Sequence, residues 1–325
     1  MAVRGAVISG ERGLERKGHL ARAWSRLIRK KIAVASIVIL VLVYSSGIFA
    51  SLISSATGYG YNDQNYTEIR QGPSLKHWAG TDRAGRDVLT RVFWGIQNTV
   101  VITVVSMATG GIVIGVTLGL FSGYFGGRID ALIMRIGEVF SSFPDIFLVI
   151  ILAATLRPRF IEWARGLEDA FDIFEGIVRL GIVDYFIVSI ALVSFGWIGM
   201  ARLVRGQVLS LKETQYVESA KASGASTRRI LFLHLLPNAI SPVVVTVSMS
   251  MGVLVGTEII LGFLGLGIQP PRPSLGVMLR DAGNIGTLQN EPWMLLAPGA
   301  AAFLLVLGWN LLGDALNDVL NPRTR

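Results

Sequence analysis

The stretch that decides the fold is residues 92–127, which run VFWGIQNTVVITVVSMATGGIVIGVTLGLFSGYFGG. None of these residues carries a charge. A helix needs about 20 apolar residues to cross the roughly 30 Å hydrocarbon core of a bilayer, and this run is longer than that. We therefore predict that residues 97–121 form a membrane-spanning helix.

Five further apolar runs predict five more spans, in residues 32–53, 129–156, 185–201, 235–257 and 292–313. The run 129–156 has a polar first half, so we expect a polar helix that leads into its most apolar part at 146–156. A signal peptide is a poor alternative for the first run, because its apolar part is longer than the usual 7–15 residues. The predicted fold class is all-α, a polytopic membrane protein with six transmembrane helices.

Composition favours a lipid environment. Hydrophobic residues make up 52% of the 325-residue chain and charged residues 16%, whereas soluble domains have about 25% charged residues. The net charge is +8, but nine of the 30 Lys and Arg residues precede residue 32, which is typical of a cytoplasmic tail and argues against nucleic acid as a partner. The absence of cysteine excludes disulfides, thiolate zinc sites and cysteine nucleophiles.

The basic residues also predict the orientation. Cytoplasmic termini put 19 of the 30 Lys and Arg residues inside and 11 outside, and the N-terminal tail decides this difference. We divide the chain accordingly into a basic cytoplasmic tail (1–31), a first span (32–53), an extracytoplasmic lobe (54–91), a core of five transmembrane helices (92–313) and a cytoplasmic tail (314–325).

Two segments inside the core are longer than a membrane turn requires. Residues 157–184 have apolar side chains at three- and four-residue spacing with acidic residues between them, which predicts an extracytoplasmic amphipathic insert of one or two helices. Residues 202–234 predict a cytoplasmic loop with a surface helix that Gly224 ends, since glycine tolerates the left-handed conformation there. A second short helix then runs into Pro237. This helix-turn-helix is either a docking element for another protein or a passive connector.

Glycines recur at every fourth position from Gly111 through Gly115, Gly119 and Gly123 to Gly127. On a regular helix they share one face, where the absence of side chains lets a second backbone approach closely. We predict that Gly111, Gly115 and Gly119 form a helix-packing face. Ordinary packing and a moving interface both remain open.

The sequence lacks the motifs of several enzyme classes. It contains no G-x-x-x-x-G-K-[ST], no H-E-x-x-H and no G-x-S-x-G, so we predict no catalytic, cofactor-binding or metal-binding residues. Glu258 and Asp145 are acidic residues beside apolar runs, where burial in lipid would be costly. They suggest either a proton relay or side chains that sit near span ends or face a wet cavity.

The segment 202–234 carries a resemblance to a known family. Glu218-Ser219-Ala220, then Gly224, then Leu236-Pro237-Asn238 resemble the EAA loop of ABC importer permeases, with Ser219 and His234 as departures from the pattern. Other matching stretches lie at residues 79–89, 123–127, 142–144, 263–271 and 310–314. In this order they make the chain similar to C-type permease subunits of dipeptide and oligopeptide ABC importers, except in the insert 157–184.

The resemblance implies a type I (MetI-like) permease fold in a prokaryotic plasma (inner) membrane. Its implied partners are a homologous B-type permease, two P-loop ATPase subunits that hold ATP and Mg, and an extracytoplasmic substrate-binding protein. It also implies that ATPase movement is received by Tyr216, Val217, Glu218, Ser219, Ala220, Gly224, Ala225, Ser226 and Thr227. The expected translocation path includes Met249, Met251 and Glu258.

Two other functions remain as alternatives. A proton-coupled secondary transporter predicts paired acidic and basic groups inside the spans together with inverted repeats. A non-transporting membrane scaffold predicts that solute uptake is unaffected by loss of the chain. The substrate stays open among dipeptides, oligopeptides, nickel chelates, glutathione and some sugars.

Overall fold

The computed structural model describes residues 25–170, 176, 178 and 181–320. Most of the predicted tail 1–31, the middle of the predicted insert 157–184 and the last five residues lie outside the described residues. The regular structure in the described part is helical, apart from one isolated bridge between Thr81 and Asp87.

Eleven helices follow one another along the described part of the chain. They are α1 (Lys31–Ile48), α2 (Ala50–Thr57), α3 (Val88–Phe125), α4 (Gly127–Ser141), α5 (Asp145–Ala170), α6 (Ile182–Leu211), α7 (Gln215–Ala222), α8 (Thr227–Phe263), α9 (Leu275–Ala282), α10 (Ile285–Asn290) and α11 (Trp293–Leu320).

Five of these helices, α1, α3, α6, α8 and α11, are long and apolar enough to cross a membrane. The pair α4 and α5 makes a sixth candidate span, bent by 88° at its break. The predicted all-α membrane fold is therefore confirmed. The helices pack in sequence-distant pairs, with α8 against α11, α3 against α6, and α1 against α11.

The third predicted span, 129–156, is not one continuous helix. Its break falls at residues 142–144, and Pro144 stands immediately before α5. Proline has no N–H to donate and disfavours helical geometry in the residue before it, which explains why α4 ends here. The apolar half begins a new helix at Asp145 and continues through Ala170, so the first part of the predicted insert 157–184 belongs to α5.

The predicted loop 202–234 is mostly helical at both ends. α6 continues past the predicted end of span four at residue 201 as far as Leu211, and α8 begins at Thr227. The reason is local: Arg202 donates to Ser141 Oγ at 3.1 Å, and Arg205 pairs with Asp130. These partners on α4 let the helix continue beyond its apolar part. Only residues 212–226 form a separate segment, which contains α7.

Two ends of the bundle can be told apart by their contacts. At the tail end, Lys30 pairs with Asp318 at 2.9 Å, which joins the start of α1 to the last turns of α11. At the lobe end, Arg83 donates to Thr287 Oγ1 at 2.6 Å and Trp293 Nε1 donates to the Thr81 carbonyl at 3.2 Å. The predicted lobe 54–91 is thereby fastened to α10 and to the first residue of α11.

Within the lobe, a buried histidine links two acidic side chains. His77 is 2% exposed, and its ring nitrogens lie 2.9 Å from Asp87 Oδ1 and 3.2 Å from Glu68 Oε2. The other oxygen of Asp87 accepts the Thr90 N–H at 2.7 Å and so caps the start of α3. This cap explains why α3 begins at Val88, nine residues before the predicted span.

Candidate functional site

The segment of residues 212–226, here called the α7 segment, lies at the tail end and is seated on the helix that follows it. Val217 is fully buried and packs in one cluster with Ile230, Leu231 and Leu235 of α8. Burying a valine side chain stabilises a contact by about 1.5–3 kcal/mol. The α7 segment and the first turns of α8 therefore form one packed unit.

Gly224 ends α7 in a specific turn. Its N–H donates to the Lys221 carbonyl and the Ala225 N–H donates to the Ala220 carbonyl, both at 3.0 Å. This pair of bonds defines a Schellman motif, in which the residue at the Gly224 position adopts the left-handed conformation. Gly224 has φ +76°, and no heavy atom beyond Gly224 and its two chain neighbours lies within 4 Å of the place where a Cβ would stand. Glycine is thus favoured here by backbone conformation and not by lack of space.

The other predicted coupling residues divide between a seated and an open face. Ala220 and Ala225 are half-buried against the bundle, as their place in the Schellman turn requires. The open face carries Tyr216, which is 40% exposed, together with Glu218, Ser219, Ser226 and Thr227. The structure therefore brings the predicted residues together on one short helix and turn with a polar outward surface.

Two lysines connect the α7 segment to the end of α3. Lys212 Nζ donates to the Gly123 carbonyl at 3.2 Å, and Lys221 Nζ lies 5.7 Å from the centroid of the Tyr124 ring. An ammonium over an aromatic face at this distance is a favourable cation–π contact. The segment therefore contacts two of the long helices, α3 and α8, at the same end of the bundle.

The predicted glycine face of α3 is present but shifted at one end. A Cβ on Gly115, Gly119 or Gly123 would lie 2.7–2.8 Å from side-chain or backbone atoms of α6. One turn before Gly115, the residue that faces α6 is Gly110, where an added Cβ would stand 3.1 Å from Val193 Cα. The predicted Gly111 instead lies under the Met107 side chain of its own helix.

A π-helical segment explains this shift. Residues Met107–Val116 of α3 are π-helical, with about one more residue per turn than an α-helix. The spacing that keeps a residue on the α6 face is therefore five positions between Gly110 and Gly115, and four beyond it. The prediction that every fourth residue faces α6 is therefore wrong only within the π-helical segment.

The same π segment borders a cavity in the middle of the bundle. The cavity has a volume of about 230 Å³ and lies between α3, the start of α5, α6 and α8. Its walls are partly apolar, and its polar groups come from Ser106, Asp145, Ser250 and Thr257. Ser106 is 2% exposed, and no described residue makes a hydrogen bond to its Oγ.

The three residues predicted for a translocation path are not among those that line this cavity. Met251 is 3% exposed, and Glu258 is fully buried with its Oε2 accepting from Thr99 Oγ1 at 2.8 Å. Met249 lies against Gly313 of α11, where a Cβ would stand 2.7 Å from its Cγ. On α8 the cavity is lined by Ser250, Val253, Leu254 and Thr257, which belong to a different side of the helix.

Sequence reasoning passed over one ionic contact at the tail end. Asp130 accepts from Arg205 at 2.5 and 2.6 Å and from Ser122 Oγ at 2.5 Å, which joins α3, α4 and α6. An acidic residue in the first turn of a predicted polar helix was the available signal. Among the described residues, no group of three or more His, Asp or Glu side chains is placed to hold a metal ion.

Most of the chain matches two protein families. Residues 115–325 match the family described as binding-protein-dependent transport system inner membrane component. Residues 19–73 match the N-terminal TM domain of oligopeptide transport permease C. Together the two matches include the long helices α1, α6, α8 and α11 and the whole α7 segment.

Individual relatives align along almost the whole chain. The dipeptide transport system permease protein DppC of Alkalihalophilus pseudofirmus is 36% identical over 303 residues, which is 93% of this chain and 90% of the relative. The glutathione transport system permease protein GsiD of Pectobacterium atrosepticum is 36% identical over 302 residues, with the same two coverages. The oligopeptide transport system permease protein OppC of Bacillus subtilis is 35% identical over 303 residues, 93% of this chain and 89% of the relative.

Proposed function

Because the chain belongs to the family of binding-protein-dependent transport system inner membrane components and is a permease subunit of an ABC importer, we propose that it forms half of a translocation path for peptides or a related small solute. A homologous permease would supply the other half. The names of the relatives, which concern dipeptides, oligopeptides and glutathione, support this class of solute.

The proposed mechanism rests on how the α7 segment packs against the helix bundle. Its exposed face is polar and points away from the helix bundle, while Val217 on its inner face is fully buried against α8. A separate ATPase subunit that moves the α7 segment would therefore move α8 with it. We propose that one such ATPase binds here and a second binds the homologous permease. The two ATPases would hydrolyse ATP with Mg, and this chain itself would bind neither ATP nor Mg.

The contacts at the two ends support the proposed orientation. The start of α1, the end of α11 and the α7 segment lie at the tail end, where an ATPase on the cytoplasmic side would dock. The lobe of residues 54–91 lies at the opposite end, where an extracytoplasmic binding protein would deliver the solute. Both termini would then be cytoplasmic, in the inner membrane of a prokaryote.

Purification of the tagged full-length chain from its native membrane in a mild detergent tests this proposal. We expect a second permease and P-loop ATPases to co-purify, together with vanadate-sensitive ATP hydrolysis. A variant with Tyr216, Glu218 and Ser219 changed to Ala should lose the ATPases and retain the second permease. Recovery of the native chain alone, stable and without ATP hydrolysis, would contradict the proposal and favour a secondary transporter.

A further inference from the structure

Asp145 places a carboxylate against the central cavity, at about half the depth of the bundle. The cavity wall includes Ser106, which is 18 residues from the start of α3 at Val88 and 19 residues from its end at Phe125. Asp145 lies there because the break before α5 starts a new helix inside the bundle instead of at its end. A charged side chain at this depth is expected to serve a function.

The Asp145 carboxylate has no basic partner in the described part of the chain. Within residues 25–170, 176, 178 and 181–320, no Lys, Arg or His nitrogen lies within 4.0 Å of it. Its Oδ1 accepts the N–H of the next residue, Ile146, at 2.9 Å. Asp145 is exposed in this chain, and contact of such a group with lipid would cost several kcal/mol, so its exposed side faces water, a ligand or the second permease and not lipid.

A second polar group belongs to the wall of the same cavity. Ser106 is one of the residues that line the same cavity, and its buried Oγ has no hydrogen-bond partner among the described residues. A buried polar atom without a partner is costly, and a bound group satisfies it. Ser250 adds another hydroxyl to the wall. An ammonium has three donors and no acceptor, which suits one carboxylate and two hydroxyl oxygens.

We propose that Asp145, with Ser106, forms a subsite that binds the positively charged amino group of the solute during translocation. This inference rests on the proposed function, and it restricts the solute to those that carry an amine. The surrounding wall is mostly apolar, with Gly111 and Gly196 on two sides. The subsite therefore holds one charged end and leaves the remainder of the solute largely unselected.

The native chain contains no cysteine, so a single Ser250→Cys variant gives a clean reporter in the cavity. In membranes that hold the complete importer, its rate of reaction is measured with the cationic reagent MTSET and with the anionic reagent MTSES. The ratio of the two rates reports the local charge preference. We expect Asp145→Asn to lower this ratio about tenfold, because loss of a nearby negative charge acts oppositely on the two reagents.

Two further variants keep the result interpretable. Glu138→Gln removes an exposed acid that precedes the same bend and pairs with Arg135, and it should leave the ratio unchanged. Asp145→Glu keeps the charge and should preserve the ratio. A ratio within twofold of the reporter chain in Asp145→Asn, or an equal fall in Glu138→Gln or Asp145→Glu, would overturn the subsite.

Uptake of a labelled dipeptide separates this inference from the proposed function. The native chain with its partners should import the dipeptide, and Asp145→Asn should lower import about tenfold. If the native assembly imports neither the labelled dipeptide nor labelled glutathione, the proposed function fails, whatever the labelling ratio. If it imports the dipeptide and Asp145→Asn does so at the native rate, the subsite alone fails.

Discussion

The guanidinium of Arg205 binds both carboxylate oxygens of Asp130, at 2.5 and 2.6 Å, across 75 residues of sequence. The pair joins α6 to α4 next to the end of α3, where Ser122 donates to the same carboxylate. A bidentate arginine–carboxylate contact fixes direction as well as distance. The ion pair therefore holds α4 in one position against α6, just before the sharp bend between α4 and α5.

We predict that this ion pair contributes to stability as a unit. Asp130→Asn and Arg205→Gln should each lower the thermal stability of the detergent-purified chain. Their effects should not add in the double variant, with a coupling energy of about 1 kcal/mol, because the pair is partly exposed to solvent. Thermal unfolding of the four chains measures this energy. Strictly additive effects would show that the two side chains act independently.

We predict that Gly224→Ala impairs transport through backbone strain alone. There is space for the new methyl group, but a residue with a Cβ at φ +76° costs about 1–2 kcal/mol. The Schellman turn should therefore open, and import should fall severalfold while the chain stays in the membrane. Gly224→Asn should retain most of the import, since asparagine tolerates this conformation.

A matched control for this variant is Gly199→Ala, inside α6, where a Cβ also meets nothing within 4 Å and φ is ordinary. It should leave import unchanged. Import assays of the three variants at equal membrane levels test the prediction. Equal import by Gly224→Ala and the native chain would remove the Schellman turn from the mechanism.

We predict that Gly119→Ala destabilises the contact between α3 and α6. The new Cβ would stand 2.7 Å from the Ala201 carbonyl oxygen and from Val204 Cβ, so the helices must separate. Overpacking of this kind costs about 1–3 kcal/mol. The midpoint of thermal unfolding should fall, whereas Gly206→Ala on α6, with an open Cβ position, should leave it unchanged. A fall of equal size in both variants would contradict close packing at Gly119.

We predict that acid loosens the lobe of residues 54–91 through Glu68. The hydrogen bonds of Lys76 and then of His77 hold the pKa of Glu68 below its usual range. A lowered pKa in the folded state stabilises the lobe fully above the unfolded value, about 4.3, and the effect is lost as pH falls through the folded pKa. Hydrogen exchange in the lobe, corrected for its intrinsic pH dependence, should therefore accelerate below about pH 4.

In Glu68→Gln this acid-dependent step should disappear, and the lobe should exchange faster at neutral pH than in the native chain. Glu162→Gln, on the exposed side of α5, is the control and should keep the native profile. An unchanged acid profile in Glu68→Gln would assign the pH response to another group.

Hydropathy and motif order predicted the fold class and the family, and both predictions are confirmed. Apolar runs report where lipid is, and for this reason they located the spans. They do not report where a helix ends, because Arg202 and Arg205 can remain helical when α4 supplies their partners. Span four was therefore predicted too short and the loop after it too long.

The sequence did not predict where a helix changes from α to π geometry, or which neighbours surround a given side chain. An interval of four residues assumes an α-helix, and the π segment at Met107–Val116 makes Gly110 the packing residue in place of Gly111. A buried acid such as Glu258 and a cavity-facing acid such as Asp145 look alike in sequence. Only the packing of α8 and the bend before α5 distinguish their surroundings.

The fastening of the lobe to the end of the chain has a consequence for biogenesis. Thr81 and Arg83 bond to residues that lie 212 and 204 positions later. At about 5–20 residues per second, a ribosome needs about 10–40 s to make the intervening chain. The lobe is therefore synthesised long before its partners exist, and it can bond to them only after residues 287 and 293 have been made. Nascent chains stopped before residue 287 should accordingly expose residues 58–87 to protease. Folding of the lobe would then be completed only when the start of the final span has been made.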